Sequence, residues 1–227
     1  MIYLKDTDVL LFQGDSITHG GRLESDIDMN HVMGHGYQDY LFQQLGVENI
    51  ERMPEIHNRG VSGDTVQMIA ARAEKDIFAL KPTILSILVG TNNGYYYLKG
   101  DEECSPEKYD IAYRKLLDDV VKAFPDIKLI IGQPFRYFDE SYIKKFNRTR
   151  EDELKALEVT AQIADYAEQI AKDYGAIYVR FKDALDEGMK KASCPDIVWD
   201  GIHPTYVGHG LMAKCWYDTV EKAFNNK

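Results

Sequence analysis

The sequence predicts an α/β fold, a three-layer α/β/α sandwich around a five-stranded parallel sheet, formed by a single domain over residues 1–227. Short apolar runs alternate along the chain with longer segments of helical period, which is the order that successive βα units produce. The runs are almost continuously apolar or β-branched, as expected where helices cover both faces of a parallel sheet. No internal repeat or low-complexity tract interrupts the alternation.

Five strands are predicted from the apolar runs, over residues 9–12, 52–57, 84–89, 128–132 and 176–179. The second run is the most polar and is the weakest of these predictions. Each run is four to six residues long, which is an ordinary strand length. Parallel strands need long crossover connections, so helices are expected between them.

Five helices are predicted, over residues 37–45, 65–80, 106–124, 151–174 and about 205–224. The third has the clearest start, because Ser105 can cap it and Pro106 suits its first position. Gly46 is expected to end the first helix, Asp64 to cap the second, and Gly175 to end the fourth.

The charge balance disfavours several classes of partner. The chain has 27 Lys and Arg against 37 Asp and Glu, a formal net charge of −10. A surface of that sign repels phosphate backbones and anionic headgroups, so nucleic acid and membranes are not expected as partners. The densest basic stretch, residues 144–150, is predicted to be a solvated helix face.

The first residues and the cysteines indicate which cellular compartment is expected. The first residues show no basic segment followed by an apolar one, so no signal peptide is visible. Three cysteines leave at least one thiol free, which is typical of a reducing compartment. A cytoplasmic location is therefore expected, while the oligomeric state is left open.

Four segments carry the candidate chemistry. In a doubly wound parallel sheet, ligands bind at the carboxyl ends of the strands, which directs attention to the loops there. The loops after the first three strands and the loop before the last helix contain the segments Gly14-Asp15-Ser16, Asn58-Arg59-Gly60, Gly90-Thr91-Asn92 and Asp200-Gly201-Ile202-His203-Pro204. Each segment alone is more often a turn or a helix cap, but their joint placement on these four loops favours one site.

These residue types suit acyl transfer. Ser16 can act as a nucleophile, while a backbone N–H at a glycine of the second loop, residues 58–64, and the amide of Asn92 can donate to a developing oxyanion. Pro204 biases His203 towards an extended backbone. Asp200 can then hold Nδ1 of His203 and leave Nε2 free to accept a proton.

On these segments the chain resembles the SGNH (GDSL-type) hydrolase family over nearly its whole length. The resemblance implies a flavodoxin-like sandwich with sheet order 2-1-3-4-5. It implies Ser16, Asp200 and His203 as a catalytic triad, and Ser16, Gly60 and Asn92 as an oxyanion hole.

Six further positions complete the prediction. Asp15 is expected to support the first loop by accepting backbone N–H bonds. Asn93 stands where the family usually has Asp, which should alter hydrogen bonding in the loop without removing activity. Tyr95–Tyr97 could stack on sugar rings or pack as loop anchors, and Arg136 could bind a substrate carboxylate or pair with a surface acid.

Residues 12–18 and 202–209 look most like the branch that contains bacterial carbohydrate acetylesterases. The predicted function is therefore a serine esterase that removes short acyl groups, acetyl above all, from a carbohydrate through an acyl-serine intermediate. The expected partner is a small-molecule or oligosaccharide ester. The alternatives are a lysophospholipase or acyl-thioesterase, which would need a long apolar channel, and a catalytically silent carbohydrate-binding member of the fold.

A metal-dependent phosphoesterase is a further alternative. His19, His31 and His35 lie close together in sequence and could bind a metal ion. No HExxH pattern accompanies them, so they are interpreted as polar residues lining a pocket. Neither a metal nor another cofactor is predicted.

Overall fold

The computed structural model describes residues 1–25 and 28–225 and confirms the predicted α/β class. Its five strands are β1 (Val9–Gly14), β2 (Glu55–Asn58), β3 (Ile84–Leu88), β4 (Lys128–Gly132) and β5 (Ile177–Val179). They form one sheet in the order β2-β1-β3-β4-β5, and every neighbouring pair is parallel. This is the order that the family resemblance implied.

The helices follow the strands on both sides of the sheet. They are α1 (Ser16–His19), α2 (Tyr37–Glu48), α3 (Val66–Ala71), α4 (Ala73–Asp76), α5 (Thr91–Leu98), α6 (Pro106–Ala123), α7 (Glu140–Phe146), α8 (Arg150–Asp173), α9 (Phe181–Met189), α10 (Cys194–Ile197) and α11 (Tyr206–Asn225). Single 3₁₀ turns lie at Phe78–Leu80 and Glu102–Cys104. No helix in the described part of the chain is both long enough and apolar enough to cross a bilayer.

Alternate strand residues divide the core into two clusters. Leu10, Phe12 and Ile84 lie in the cluster that packs against α2, α9 and α11. Leu11 and Leu85 lie in the cluster on the other face, against α3, α6 and α8. Because successive side chains of a strand point to opposite faces, continuous apolar strands supply both layers of the sandwich.

The first predicted helix is longer than expected. Gly46 lies within α2 and does not end it, and a Cβ at that position would meet open space. The helix ends instead at Asn49, whose backbone N–H and side-chain Nδ2 both donate to the carbonyl of Leu45. A glycine inside a helix costs only about 1 kcal/mol relative to alanine, so packing of the apolar face outweighs it.

The second predicted helix is broken into α3, α4 and a 3₁₀ turn. Thr65, and not Asp64, caps α3 by accepting the N–H of Met68 at 3.3 Å. The Asp64 carboxylate accepts instead from the guanidinium of Arg72 at 2.7 Å. Arg72 lies at the break and also binds Asp76 at 2.6 Å.

Short helices account for most of the elements that the sequence did not predict. Segment Thr91–Leu98 was expected to begin as a loop, yet it forms α5 because Gly94 lets the helix approach Val159 and Ile163 of α8 closely. A Cβ at Gly94 would lie 3.3 Å from Val159. Helices α7 and α9 were also missed, since seven or nine residues give too little periodicity to detect.

Candidate active site

The first loop turns from β1 directly into α1 and presents Ser16 at the carboxyl end of the sheet. A Cβ on Gly14 would lie 2.3 Å from the carbonyl oxygen of Leu88, so only glycine fits between the strands here. The Asp15 side chain caps α1 by accepting the N–H of Ile17 at 3.0 Å. Ser16 is therefore the first residue of the helix, where its backbone N–H is one of the unpaired donors of the first turn.

The last loop is a tight hairpin that brings His203 to Ser16. The N–H of Trp199 donates to the carbonyl of His203 at 3.1 Å, and Val198 bridges to Pro204. Gly201 has φ +89°, and a Cβ there would lie 2.5 Å from the carbonyl oxygen of Tyr137, which requires glycine.

The structure brings Ser16, His203 and Asp200 together in one hydrogen-bonded chain. Ser16 Oγ lies 2.8 Å from Nε2 of His203, although 187 positions separate the two residues. Nδ1 of the same ring lies 2.7 Å from Oδ2 of Asp200. The other carboxylate oxygen accepts the backbone N–H groups of Ile202 and His203 at 2.9 and 2.7 Å.

The surroundings of this pair favour its charged form. Burial acts to lower the pKa of His203, but the hydrogen bond to Asp200 and that residue's charge outweigh it, so the pKa is raised above its ordinary value. Burial acts to raise the pKa of Asp200, but the bonds from His203 outweigh it, and the pKa is lowered. An imidazolium formed during proton transfer is therefore stabilised.

Asp15 occupies the supporting position expected from the sequence. It is 2% exposed, and burial raises its pKa to about 6, while the N–H of Ile17 and the charge of His203 act in the opposite direction. Its carboxylate holds the turn that presents Ser16.

Asn92 and Asn93 begin α5 and tie it to the second loop. The amide of Asn92 donates to the carbonyl of Asp64 at 3.1 Å. Asn93 is fully buried and accepts the N–H of Val66 at 3.1 Å while donating to Gln67 at 2.8 Å. The donated bond explains an amide at position 93, because an ionised aspartate could only accept.

The expected role of Gly60 conflicts with the structure. Its N–H donates to Oδ1 of Asn58 at 2.9 Å and is therefore not free for an oxyanion. A Cβ on Gly60 would lie 2.5 Å from the backbone nitrogen of His19, so glycine is needed here for packing against α1. The same loop contains a second glycine, Gly63, which is partly exposed and has φ +88°.

An open cleft of about 470 Å³ lies in front of Ser16 and His203. The Trp199 ring is 43% exposed and stacks on His203, with centroids 6.1 Å apart and planes 25° apart. Tyr206 is 70% exposed and packs against His35. Neither aromatic residue was predicted as part of the site, although each lies beside the last motif.

A buried ion-pair network supports the Asp200 loop. The Arg148 guanidinium donates to the backbone carbonyl of Asp200 at 2.7 Å and pairs with Glu153 at 3.3 Å. Glu153 is 2% exposed and also pairs with Arg136 at 3.1 Å. The prediction of a solvated face over residues 144–150 is therefore wrong for Arg148, and the acid that pairs with Arg136 is buried rather than on the surface.

The tyrosines of α5 and the histidines near the first loop do not form a common site. Tyr95 is 46% exposed on α5, whereas Tyr97 packs against the core. His19 accepts the N–H of Gly21, and His31 pairs with Asp28. Across residues 1–25 and 28–225, no three His, Cys, Asp or Glu side chains gather as a metal site would require.

Comparison with known proteins identifies the family. A model of the GDSL-like lipase/acylhydrolase family matches residues 12–211. The chain belongs to this family. Its members hydrolyse acyl esters, and the protein is accordingly a carboxylic ester hydrolase. A triad and an oxyanion hole are typical of such enzymes.

Relatives of this family resemble the chain over nearly its full length. An acetylxylan esterase from Geobacillus stearothermophilus is 28% identical over 214 residues, which cover 91% of each chain. A putative GDSL-like lipase from Parabacteroides merdae has a similar structure, with TM-score 0.84, 30% identity and coverage of 96% of this chain and 97% of that one. The solved structure of the Geobacillus esterase gives TM-score 0.77, 27% identity and 96% coverage of both chains. These similarities support the carbohydrate-acetylesterase branch.

Proposed function

We propose that the protein is a serine esterase that removes short acyl groups, acetyl above all, from a carbohydrate through an acyl-Ser16 intermediate. The observation that carries the proposal is the unbroken hydrogen-bonded chain from Ser16 Oγ through His203 to Asp200. These three hydrogen-bonded side chains lie at an open cleft that also contains exposed aromatic side chains.

In the acylation step, Ser16 Oγ attacks the ester carbonyl while Nε2 of His203 takes the hydroxyl proton. Asp200 holds the Nδ1–H tautomer and stabilises the imidazolium that forms. The protonated ring then passes its proton to the leaving alcohol. Water attacks the acyl-Ser16 in the second half-reaction, with His203 again accepting a proton.

The negative charge of the tetrahedral intermediate needs donors on the side away from His203. The Ser16 N–H in the first turn of α1 and the second N–H of the Asn92 side-chain amide, whose other N–H donates to Asp64, are two such donors. The third is assigned to the N–H of Gly63 rather than Gly60, because the Gly60 N–H already donates to Asn58. Gly63 neighbours Asp64, whose carbonyl anchors Asn92.

A carbohydrate alcohol suits the cleft. Aromatic faces bind the apolar faces of sugar rings, and Trp199 and Tyr206 both present exposed rings beside the nucleophile. Polar side chains of His35, Thr205 and His209 also line the cleft, which disfavours the long acyl chain of a lysophospholipid. The similarity to an acetylxylan esterase points the same way.

A panel of nitrophenyl esters from acetate to octanoate, followed by acetylated xylo-oligosaccharides, tests this proposal. We expect kcat/KM to be highest for acetate, acetate to be released from the oligosaccharides, and Ser16→Ala to remove both activities. A maximum at octanoate would favour the lysophospholipase or thioesterase alternative. Absence of turnover on every ester would favour the silent binding protein.

A further inference from the structure

We propose that a second cavity, next to the Asp200–His203 loop, binds a carboxylate carried by the alcohol portion of the substrate. The enzyme would then prefer acetylated oligosaccharides that bear an acidic sugar. This inference rests on the proposed esterase function and names the substrate class more closely.

The cavity is distinct from the Ser16 cleft but shares its supporting elements. It measures about 350 Å³, which is enough for part of a small ligand. Ile202, between Asp200 and His203, forms one wall, and Tyr95, one helical turn after Asn92, forms another. On this proposal, a substrate whose ester lies at Ser16 extends its alcohol portion past Ile202 towards this cavity.

Positive charge dominates the cavity wall, in a chain whose net charge is −10. Four cationic side chains and two anionic ones line it, namely Lys99, Arg136, Arg148, Lys155, Asp152 and Glu153. Lys155 forms an exposed ion pair with Glu151, whereas Nζ of Lys99 lies 5.8 Å from the ring centroid of Tyr95. An anionic group is the ligand that this balance favours.

Arg136 supplies the most specific observation. It is 7% exposed, and its Nη2 donates to both carboxylate oxygens of Glu153 at 3.1 and 3.2 Å. Its buried Nε has no hydrogen-bond acceptor among the described residues. Buried polar groups are rarely left unpaired, and the guanidinium that carries this N–H borders the cavity, so Arg136 is the group that an anionic ligand would approach.

The charge count favours a carboxylate over a more highly charged anion. Glu153 pairs with the guanidinium groups of both Arg136 and Arg148, so one negative charge faces two positive charges. A single added carboxylate balances the remaining charge and matches the planar donors of an arginine. A doubly charged phosphate would be repelled more strongly by Glu153 and Asp152.

Paired oligosaccharide substrates test the inference. Acetylated xylo-oligosaccharides with and without a glucuronic acid branch are compared by kcat/KM, with nitrophenyl acetate as a substrate that cannot reach the cavity. We expect the wild-type protein to prefer the acidic substrate about tenfold, which corresponds to one good charge-assisted contact. Lys99→Glu should abolish the preference, measured as the ratio of the two kcat/KM values.

Two further variants sharpen the test. Arg136→Lys keeps the charge facing Glu153 but removes the planar guanidinium, and it should lose most of the preference while its melting temperature shows that it is folded. Lys75→Gln, at an exposed position on α4, should keep the preference. Equal rates on the two oligosaccharides in the wild type, or an unchanged preference in Lys99→Glu, would overturn this inference alone. If neither oligosaccharide is hydrolysed, both this inference and the proposed function are overturned.

Discussion

Individual residues of the site are held by hydrogen bonds that the sequence motifs do not reveal. Asp200 accepts two backbone N–H groups in addition to the imidazole, and Asn92 is anchored on a backbone carbonyl of the second loop. The motifs therefore predicted which side chains meet, and the fold determined which donors remain free. The N–H of Gly60 is an example, because it donates to the side chain of Asn58 and is not free.

Replacing Asn92 by alanine tests the oxyanion assignment at the scale of one residue. Removing one preorganised donor should lower kcat on nitrophenyl acetate by roughly 10²–10³-fold. Thermal melting should show a folded protein, and Asn30→Ala, at an exposed position, serves as the control. An Asn92→Ala variant with wild-type kcat would remove this residue from the oxyanion hole.

At the scale of elements, the start of α8 is connected to the Asp200–His203 loop. Arg148 lies just before the helix, Glu153 lies in its first turns, and together they hold the carbonyl of Asp200. The buried pair orients the loop, because each guanidinium contact has a fixed geometry.

Arg148→Gln should therefore change the pH profile of the enzyme as well as its rate. Three charged groups act on His203: Asp200 and Asp15 raise its pKa, and Arg148 lowers it. Removing Arg148 should raise that pKa, so the acid limb of kcat/KM moves to higher pH, where the imidazole becomes neutral. Arg148→Lys, which keeps the positive charge, should return the acid limb to its wild-type pH. A lower rate with an unmoved limb would limit Arg148 to a structural role.

The elements show how far a sequence pattern can predict this fold. Strands β1, β3 and β4 were predicted closely because each is a buried apolar run between polar turns. β2 begins three residues later than expected, after Met53, whose φ of +45° does not suit a strand. The break at Arg72, which binds Gln13 of β1, and the formation of α5 involve contacts distant in sequence, and Asn-Asn-Gly has no helical preference of its own.

At the scale of the whole molecule, we propose that residues 1–227 form one folding domain, whose stability depends on the buried carboxylate of Asp15 beside the proposed nucleophile. The pKa of Asp15 is raised to about 6, so the folded protein holds a proton there more tightly than the unfolded chain does. Stability from this group is fully present below its unfolded pKa and is lost as the pH rises through about 6.

Asp15→Asn should remove this pH dependence, because an amide keeps an oxygen for the N–H of Ile17 and carries no charge. Relative to the wild type, the free energy of unfolding of the variant should gain up to about 3 kcal/mol between pH 4 and pH 7.5. Denaturant unfolding at both pH values measures it, with the exposed Asp126→Asn as the control. A stability difference that is constant with pH would contradict the burial argument.

Covalent labelling by a fluorophosphonate, followed by intact-protein mass measurement and peptide mapping, tests the central claim most directly. An activated serine beside a free imidazole nitrogen should react once per chain, with the adduct on Ser16. Ser16→Ala should remain unlabelled, and His203→Ala should react far more slowly. An adduct on another residue, or equal labelling of Ser16→Ala, would contradict the assignment of Ser16 as the nucleophile.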